Sequence, residues 1–485
     1  MMRTIRLNMT IDPHIFRAYD IRGDVRTQLT PEVVDTIGRA LAISHFYPGA
    51  RLVVGRDART HSPELAGKLI FGLNIHGVNV WDLGQVTTPM LYYALFTQKC
   101  DGGVMVTGSH NPINDNGLKI CRGTESFVRA DIEAVREIAM GDIWSFGPAE
   151  TRCGEVERND QRGTSSRLDI AASYINEILS SVEPGRKLKI VIDAGNGVAG
   201  PYAKSLFAHY ASDLTCLYCD PDGTFPNHHP DPSVAKNLAD LQKKVLEMHA
   251  DIGLAFDGDG DRLGVIDHNG NIIAADKLVI LFAREILART PNQTILADVK
   301  CSKLTFDDIA QKHGHPQMTK TGHALIKAAL RDTGAAFAGE MSGHFFFKDR
   351  WFGFDDALYA GARIVEIAAK ALDSGQTLAD LLNDLPETCA TPEIRIDCPD
   401  DLKFDLATAM CAKYKNLYPT CDLDGARIDF PNGWALIRAS NTQPALVMRV
   451  EADSQAHVDE IMRDISCSMH DFVQQRGAKI DLAIP

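Results

Sequence analysis

Long apolar runs, an excess of positive charge and paired cysteines are all missing from this sequence. No hydrophobic stretch in its 485 residues is long enough to cross a bilayer. The opening segment MMRTIRLNMTIDPHIF lacks the continuous apolar core of a secretory signal. A soluble, cytoplasmic protein is therefore expected. Lys and Arg number 50 against 64 Asp and Glu, a net charge of −14, which argues against a nucleic-acid or anionic-membrane partner. Any anionic ligand must be met by locally clustered cations. The eleven cysteines, an odd number, are scattered in the manner of reduced intracellular thiols. Only Cys216 and Cys219 form a C-x-x-C, and without a second pair they read as two buried thiols on a strand, not as a zinc or redox centre.

What is present is ordinary globular composition, 45% hydrophobic and 24% charged, in a chain long enough for several cores. From Arg51 to about Lys370 short apolar runs alternate with amphipathic segments, the rhythm of α/β domains with largely parallel sheets. A coarse repeat lies within it. Strands end at Asp57, Asp193 and Asp298, and each is followed by a second strand that opens into an unusual loop: TGSHNP, DGDGDR and GEMSGH. The polar stretch from Gly141 to Arg167 reads as one boundary, the hairpin around Asn269-Gly270, with its type I′ turn signal, as a second, and the region of Pro386 as a third. The expected domains are 1–157, 158–271, 272–385 and 386–485: three similar α/β domains with mixed, largely parallel sheets, then an α+β domain ending in a helix over Gln455 to Gln475.

The chemistry is carried by loops. Asp257-Gly258-Asp259-Gly260-Asp261-Arg262 leaves an apolar strand, Ile252 to Phe256, with three carboxylates at alternate positions. Carboxylate oxygens suit Mg2+, and Arg262 stands ready for an anion. An EF-hand is excluded, because its glycine position is Arg262 and its terminal glutamate position is His268. A solvated acidic turn is the commoner reading of Asp-Gly pairs in general, and taken alone the loop says only that a metal is possible; its company decides. Ser109, in Thr107-Gly108-Ser109-His110-Asn111-Pro112, is expected to hold an exposed hydroxyl on a rigid turn, with Lys119 downstream. It is not a nucleophile elbow, since Thr107 and Asn111 replace the flanking glycines. Glu340, Ser342 and His344 form a polar group suited to vicinal sugar hydroxyls. Arg438, Ser440, Asn441 and Thr442 make an anion cradle with inward-facing backbone N–H groups. The segment Phe16 to Gly23 adds Arg17 and Arg22. One motif points elsewhere: Gly195-Asn196-Gly197-Val198-Ala199-Gly200 follows a strand and Asp220 lies about 20 residues on, as in a dinucleotide fingerprint. The same glycines also suit tight strand-to-helix packing.

Taken in order, TGSHNP, DGDGDR, GEMSGH and RASNTQP resemble the four signature loops of the α-D-phosphohexomutase superfamily, with FRAYDIRG extending the match over nearly the whole chain. TGSHNP with GEMSGH looks most like its bacterial phosphomannomutase/phosphoglucomutase branch. The resemblance implies a four-domain protein around a central cleft. It implies a phosphoserine at Ser109 and Mg2+ held by that serine's phosphate with Asp257, Asp259 and Asp261. Substrate contacts are implied for Arg17, Tyr19, Arg22, His110, Lys300, Glu340, Ser342, His344, Arg438, Ser440, Asn441 and Thr442, and catalytic roles for Lys119, Arg262 and His323. Between Lys119 and His323, Lys119 is the preferred proton acceptor. The implied reaction interconverts 6-phospho and 1-phospho hexoses, mannose first and glucose second, through a hexose 1,6-bisphosphate. The substrate is a small phosphosugar, a monomer is the expected state, and the last domain is expected to hinge. A phosphoglucosamine mutase, a dinucleotide-dependent oxidoreductase and a silent phosphosugar sensor are the alternatives. Gln443 departs from the acid common at its position in relatives.

Overall fold

A computed structural model describes residues 11–141, 162–440 and 445–476. They fall into two units: one takes the chain up to Ile273 and Gly343–Leu378, the other Ala274–Ser342 and the chain from Ala379. The expected boundary at 157/158 lies outside the described residues. Among the described residues no helix is long and apolar enough to cross a membrane.

The first unit holds two sheets. In one the strands run in the order Asp20–Asp24, Asp115–Arg122, Gly102–Val106, Arg51–Arg56, Asn79–Gln85 and Ser165–Arg167. From Gly102–Val106 outward to Ser165–Arg167 neighbours are parallel, whereas Asp115–Arg122 is antiparallel to both of its neighbours. This antiparallel edge sets Lys119 opposite Asp20 on one side and Met105 on the other. The helices begin on sequence signals: Thr30 and Thr87 accept from the backbone N–H three residues on, and Pro31 and Pro89 stand in the first turns. The second sheet runs Ile272–Ile273, Leu263–Asp267, Ile252–Phe256, Leu188–Asp193, Ala211–Leu217. The strand Ile252–Phe256 is wholly buried, and the helix Ala357–Asp373 packs against it. That helix is apolar nearly all round, as a helix covered on every side must be.

The second unit combines a parallel sheet, His315–Thr319, Thr294–Asp298, Phe337–Gly339, with an antiparallel one. In the latter, Ala426–Phe430, Gly433–Ala439 and Ala445–Ala452 alternate between two faces. Ile428, Ile437 and Met448 meet the helices Asp400–Lys415 and Gln455–Gln475. The opposite face carries Arg427, Trp434, Arg449 and Glu451. Those residues grip the turn after Asp298: Arg427 donates to the Val299 and Cys301 carbonyls, Arg449 to that of Lys300, and Ser302 Oγ donates to Glu451.

Three local expectations need correction. The Asn269-Gly270 turn is not type I′, because Gly270 alone reaches the left-handed region (φ 79°). Asp267 Oδ1 accepts from the N–H groups of Asn269 and Asn271 and shapes a different turn. Cys216 lies on the strand Ala211–Leu217 but Cys219 lies past its end, and both are half-buried, since this is an edge strand. Ser440 N–H is engaged by the Ala445 carbonyl and so does not face an anion.

Candidate active site

In the first unit, two loops released by strands of its two different sheets meet. Gly102–Val106 ends before Ser109, whose backbone takes a left-handed conformation (φ 47°) that L-residues avoid. Its hydroxyl is buried, 3% of the residue being exposed, rather than free on a turn as expected. The acidic loop closes over it: Ser109 Oγ donates to Asp257 Oδ2 at 2.8 Å and lies 3.1 Å from His110 Nδ1. Gly258 permits this approach, because a Cβ there would sit 2.6 Å from the Ser109 carbonyl oxygen.

Asp257, Asp259 and Asp261 are fully buried with carboxylate oxygens within 4.8 Å of one another. Asp257 Oδ1 accepts from the N–H groups of Asp261 and Arg262. Asp259 Oδ2 accepts from Thr88 Oγ1 (2.6 Å) and Lys119 Nζ (2.7 Å), and Lys119 also reaches Asp261 Oδ2 at 2.5 Å. Thr88 opens the helix Thr88–Thr97, so the positive end of that helix adds to the field on Asp259. Burial and the two neighbouring carboxylates push Asp257 well above the ordinary carboxylate range. Burial opposes ionisation of Asp259 too, but Lys119 and Thr88 outweigh it and hold Asp259 well below that range. For Lys119 burial favours the neutral amine, yet Asp259, Asp261 and Asp355 prevail and raise it. Two carboxylates thus pair with the Lys119 amine and favour its ammonium form, on the same acidic loop that Ser109 Oγ touches. Asp259 Oδ1 and Asp261 Oδ1 are buried with no hydrogen-bond partner among the described residues. Oxygen atoms left over in a carboxylate triplet are the donor set of a hard divalent cation, and the residues fit one.

The anion-facing side chains gather at the same place. Arg262 Nε lies 3.1 Å from His344 Nε2, and its Nη2 lies 3.3 Å from His110 Nε2. Burial, then Arg262 and Arg22, pull His110 well below the usual imidazole range, so it is neutral. Arg22 donates to Asp20 (2.6 Å) and to Asn111 of the serine loop (3.1 Å). Arg17 and Tyr19 are half-buried in the turn before Asp20–Asp24. The Gly195 to Gly200 loop packs beneath the acidic loop: a Cβ on Gly197 would lie 3.0 Å from Gly258 Cα, and Val198 N–H donates to the Gly258 carbonyl. These glycines serve backbone packing, so the dinucleotide reading loses its footing.

In the second unit Asp298 is the hub. Its carboxylate accepts from Met341 N–H, Cys301 Sγ and Thr321 Oγ1, and Lys300 Nζ lies 3.9 Å away and 3.5 Å from Glu393. Glu340 accepts from Gly322 N–H, immediately before His323 at the head of the helix His323–Thr333. Ser342 Oγ is buried with no hydrogen-bond partner among the described residues. Asp424 joins the two sheets of the unit, accepting from Thr321 N–H and Arg438 Nε at 3.1 Å each. Ser440 is buried beside Arg438, whereas Asn441 and Thr442 lie outside the described residues.

The residues passed over in the sequence are those that brace the loops. Asp57 accepts from Thr107 Oγ1 and Gly108 N–H, and Asp298 from Met341 N–H. Their placement at the ends of repeated strands was a signal for this role. Thr88, Asp424 and Arg59 had no comparable signal.

Four family models match the chain in sequence: phosphoglucomutase/phosphomannomutase alpha/beta/alpha domain I over residues 13–140, domain II over 172–270, domain III over 274–389, and the C-terminal domain over 393–466. The chain belongs to the phosphoglucomutase/phosphomannomutase family. It is 44% identical over 451 residues to a phosphoglucomutase of Neisseria meningitidis serogroup A, covering 92% of this chain and 95% of that one. It is 43% identical over 458 residues to a phosphomannomutase/phosphoglucomutase of Pseudomonas aeruginosa, covering 93% and 94%. A crystal structure of a phosphoglucomutase/phosphomannomutase family protein from Burkholderia thailandensis superposes with a TM-score of 0.86 at 39% identity, covering 98% of this chain and all of that one.

Proposed function

We propose that this phosphohexomutase interconverts hexose 6-phosphates and hexose 1-phosphates, of mannose and of glucose, by way of a phosphoserine at Ser109. The observation that carries the reading is the 2.8 Å contact of Ser109 Oγ with Asp257 inside a buried carboxylate triplet paired to Lys119. Asp257, Asp259 and Asp261, with the serine's phosphate, would hold Mg2+, which when bound supplies positive charge to the phosphoryl oxygens.

The chain's own residues supply the rest. In the forward half-reaction the bond between phosphorus and Ser109 Oγ breaks as one forms to a sugar hydroxyl, whose proton must leave while Ser109 Oγ gains one. Lys119 and Arg262 meet charge that spreads over the equatorial oxygens. Lys119 and His323 are the two candidates for taking and returning that proton, and Lys119 is preferred because it pairs with the acidic loop that Ser109 Oγ also touches. Glu340, Ser342 and His344 recognise sugar hydroxyls, Arg438, Ser440, Asn441 and Thr442 hold the phosphate that does not react, and Lys300 is a further substrate contact. The product of the first transfer, a hexose 1,6-bisphosphate, turns over and returns its other phosphate to Ser109.

Peptide mass mapping of Ser109, with coupled assays on mannose, glucose and glucosamine 1-phosphates, tests the reading. A phosphorylated serine is expected, with turnover of the first two sugars that Ser109→Ala abolishes and chelation of divalent cations suppresses. An unmodified Ser109 and an active alanine variant would sink the mechanism.

A further inference from the structure

The loop that carries Ser109 is held from behind by its carbonyl groups. Arg59 is a buried arginine (1% exposed) in the segment that follows the strand Arg51–Arg56. Its Nη2 donates to the carbonyls of Ser109 (3.0 Å) and Asn111 (2.6 Å), and its Nη1 to those of Pro112 (2.7 Å) and Asp115 (3.1 Å). The carbonyl left out of this run, that of His110, accepts from His229 Nε2 at 2.6 Å. Four successive carbonyls, 109 to 112, therefore end on two side chains.

The surroundings of Arg59 are built to admit it. A Cβ on Gly108 would lie 2.3 Å from Arg59 Nε, so only glycine lets the guanidinium lie against the loop. Its Nε faces Asp57 Oδ2 at 3.4 Å, the carboxylate that also accepts from Gly108 N–H and Thr107 Oγ1. The Phe225 ring covers the guanidinium, 5.4 Å from Cζ to the ring centre. Gly223 in the same segment packs on the Arg59 backbone, where a Cβ would meet Arg59 Cα at 2.7 Å. That segment thus backs Arg59 through Gly223 and Phe225 and reaches the serine loop itself through His229.

Ser109 needs such restraint. Its left-handed backbone is disfavoured relative to the ordinary regions and persists only where the surroundings over-determine it. If the carbonyls were released, the backbone would relax to negative φ and swing Oγ away from Asp257. We propose that Arg59, seconded by His229, is a positioning residue of the mutase reaction: it touches neither substrate nor the reacting atoms, and acts by holding Ser109 in the conformation from which its Oγ gives and takes the phosphoryl group. This inference rests on the reading of Ser109 as the phosphoryl carrier.

Arg59→Lys keeps the charge but loses the fork that spans several carbonyls at once. Steady-state kinetics with glucose 1-phosphate, the rate at which glucose 1,6-bisphosphate phosphorylates Ser109 (by mass spectrometry), and thermal melting are measured on this variant and on His229→Gln. For Arg59→Lys, kcat and the phosphorylation rate are expected to fall together by about 10²-fold, the scale of an ångström-size misplacement, with KM little changed. His229→Gln, which disturbs one carbonyl, shows the same split with a smaller fall. A purely structural role predicts a lower melting temperature with wild-type kcat per folded molecule, and that result would overturn the proposal. Should Arg59→Lys fail to fold, His229→Gln decides, since wild-type kcat in a folded His229→Gln is equally fatal. No turnover by the wild type would overturn the mutase reading, and this inference with it, whereas wild-type turnover with unimpaired variants overturns this inference alone.

Discussion

Lys119 sits between Asp259 and Asp261, and this position fixes what it does. Buried lysines lose their protons when isolated, but here two carboxylates within 2.7 Å reverse the effect. Lys119→Met should therefore leave two carboxylates without their cation and remove charge stabilisation from the transfer. A fall in kcat of about 10²–10³-fold is expected in the coupled assay, the magnitude typical of deleting one preorganised electrostatic partner. Activity within a few-fold of wild type would show that Lys119 only neutralises the acidic loop. The identity of these residues was legible in the sequence because reaction chemistry needs unusual side chains in runs. Their pairing was not, because it depends on neighbours contributed by a loop 140 residues away.

Individual elements show where local signals suffice. The helix Gln455–Gln475 and the strand Ile252–Phe256 occupy the ranges that apolar patterning assigns to them. The helix Ala357–Asp373 is a different case, because its N-cap, Asp356, is wholly buried. Asp356 accepts from Tyr174 OH, Trp351 Nε1 and Tyr359 N–H, yet burial outweighs these and pushes it up to about 7. A folded-state value above the unfolded one means that the native state binds the extra proton. The stability so gained is present at acid pH and is lost as pH rises through about 7. Asn caps a helix as well as Asp and carries no charge to bury. Asp356→Asn should accordingly gain on the wild type as pH increases through about 7, read from urea unfolding midpoints at several pH values. A difference that does not vary with pH would place the ionisation of Asp356 outside this range.

For the molecule as a whole, each unit is assembled from two separated stretches of chain. A chain ending at Ile273 would lack the helix Ala357–Asp373 and uncover the strand it packs on. Side chains such as Leu358, Ile364 and Val365 each contribute roughly 1.5–3 kcal/mol when fully buried, so the loss is severe. That fragment should aggregate or melt without a cooperative transition, whereas fusing residues 343–378 to it through a flexible linker should restore one. A monomeric, cooperatively unfolding 1–273 fragment would contradict this assembly. The sequence by itself determined the class of fold, the order of the chemical loops and the residues that could react, because apolar periodicity and clustered functional groups are local properties of the chain. Only the tertiary structure decided that Ser109 is buried under the acidic loop, that Lys119 pairs with two of its carboxylates, and that Arg59 and Asp298 brace the loops. Each of those outcomes depends on distances between residues far apart in sequence, and burial and Coulomb energies are functions of those distances alone.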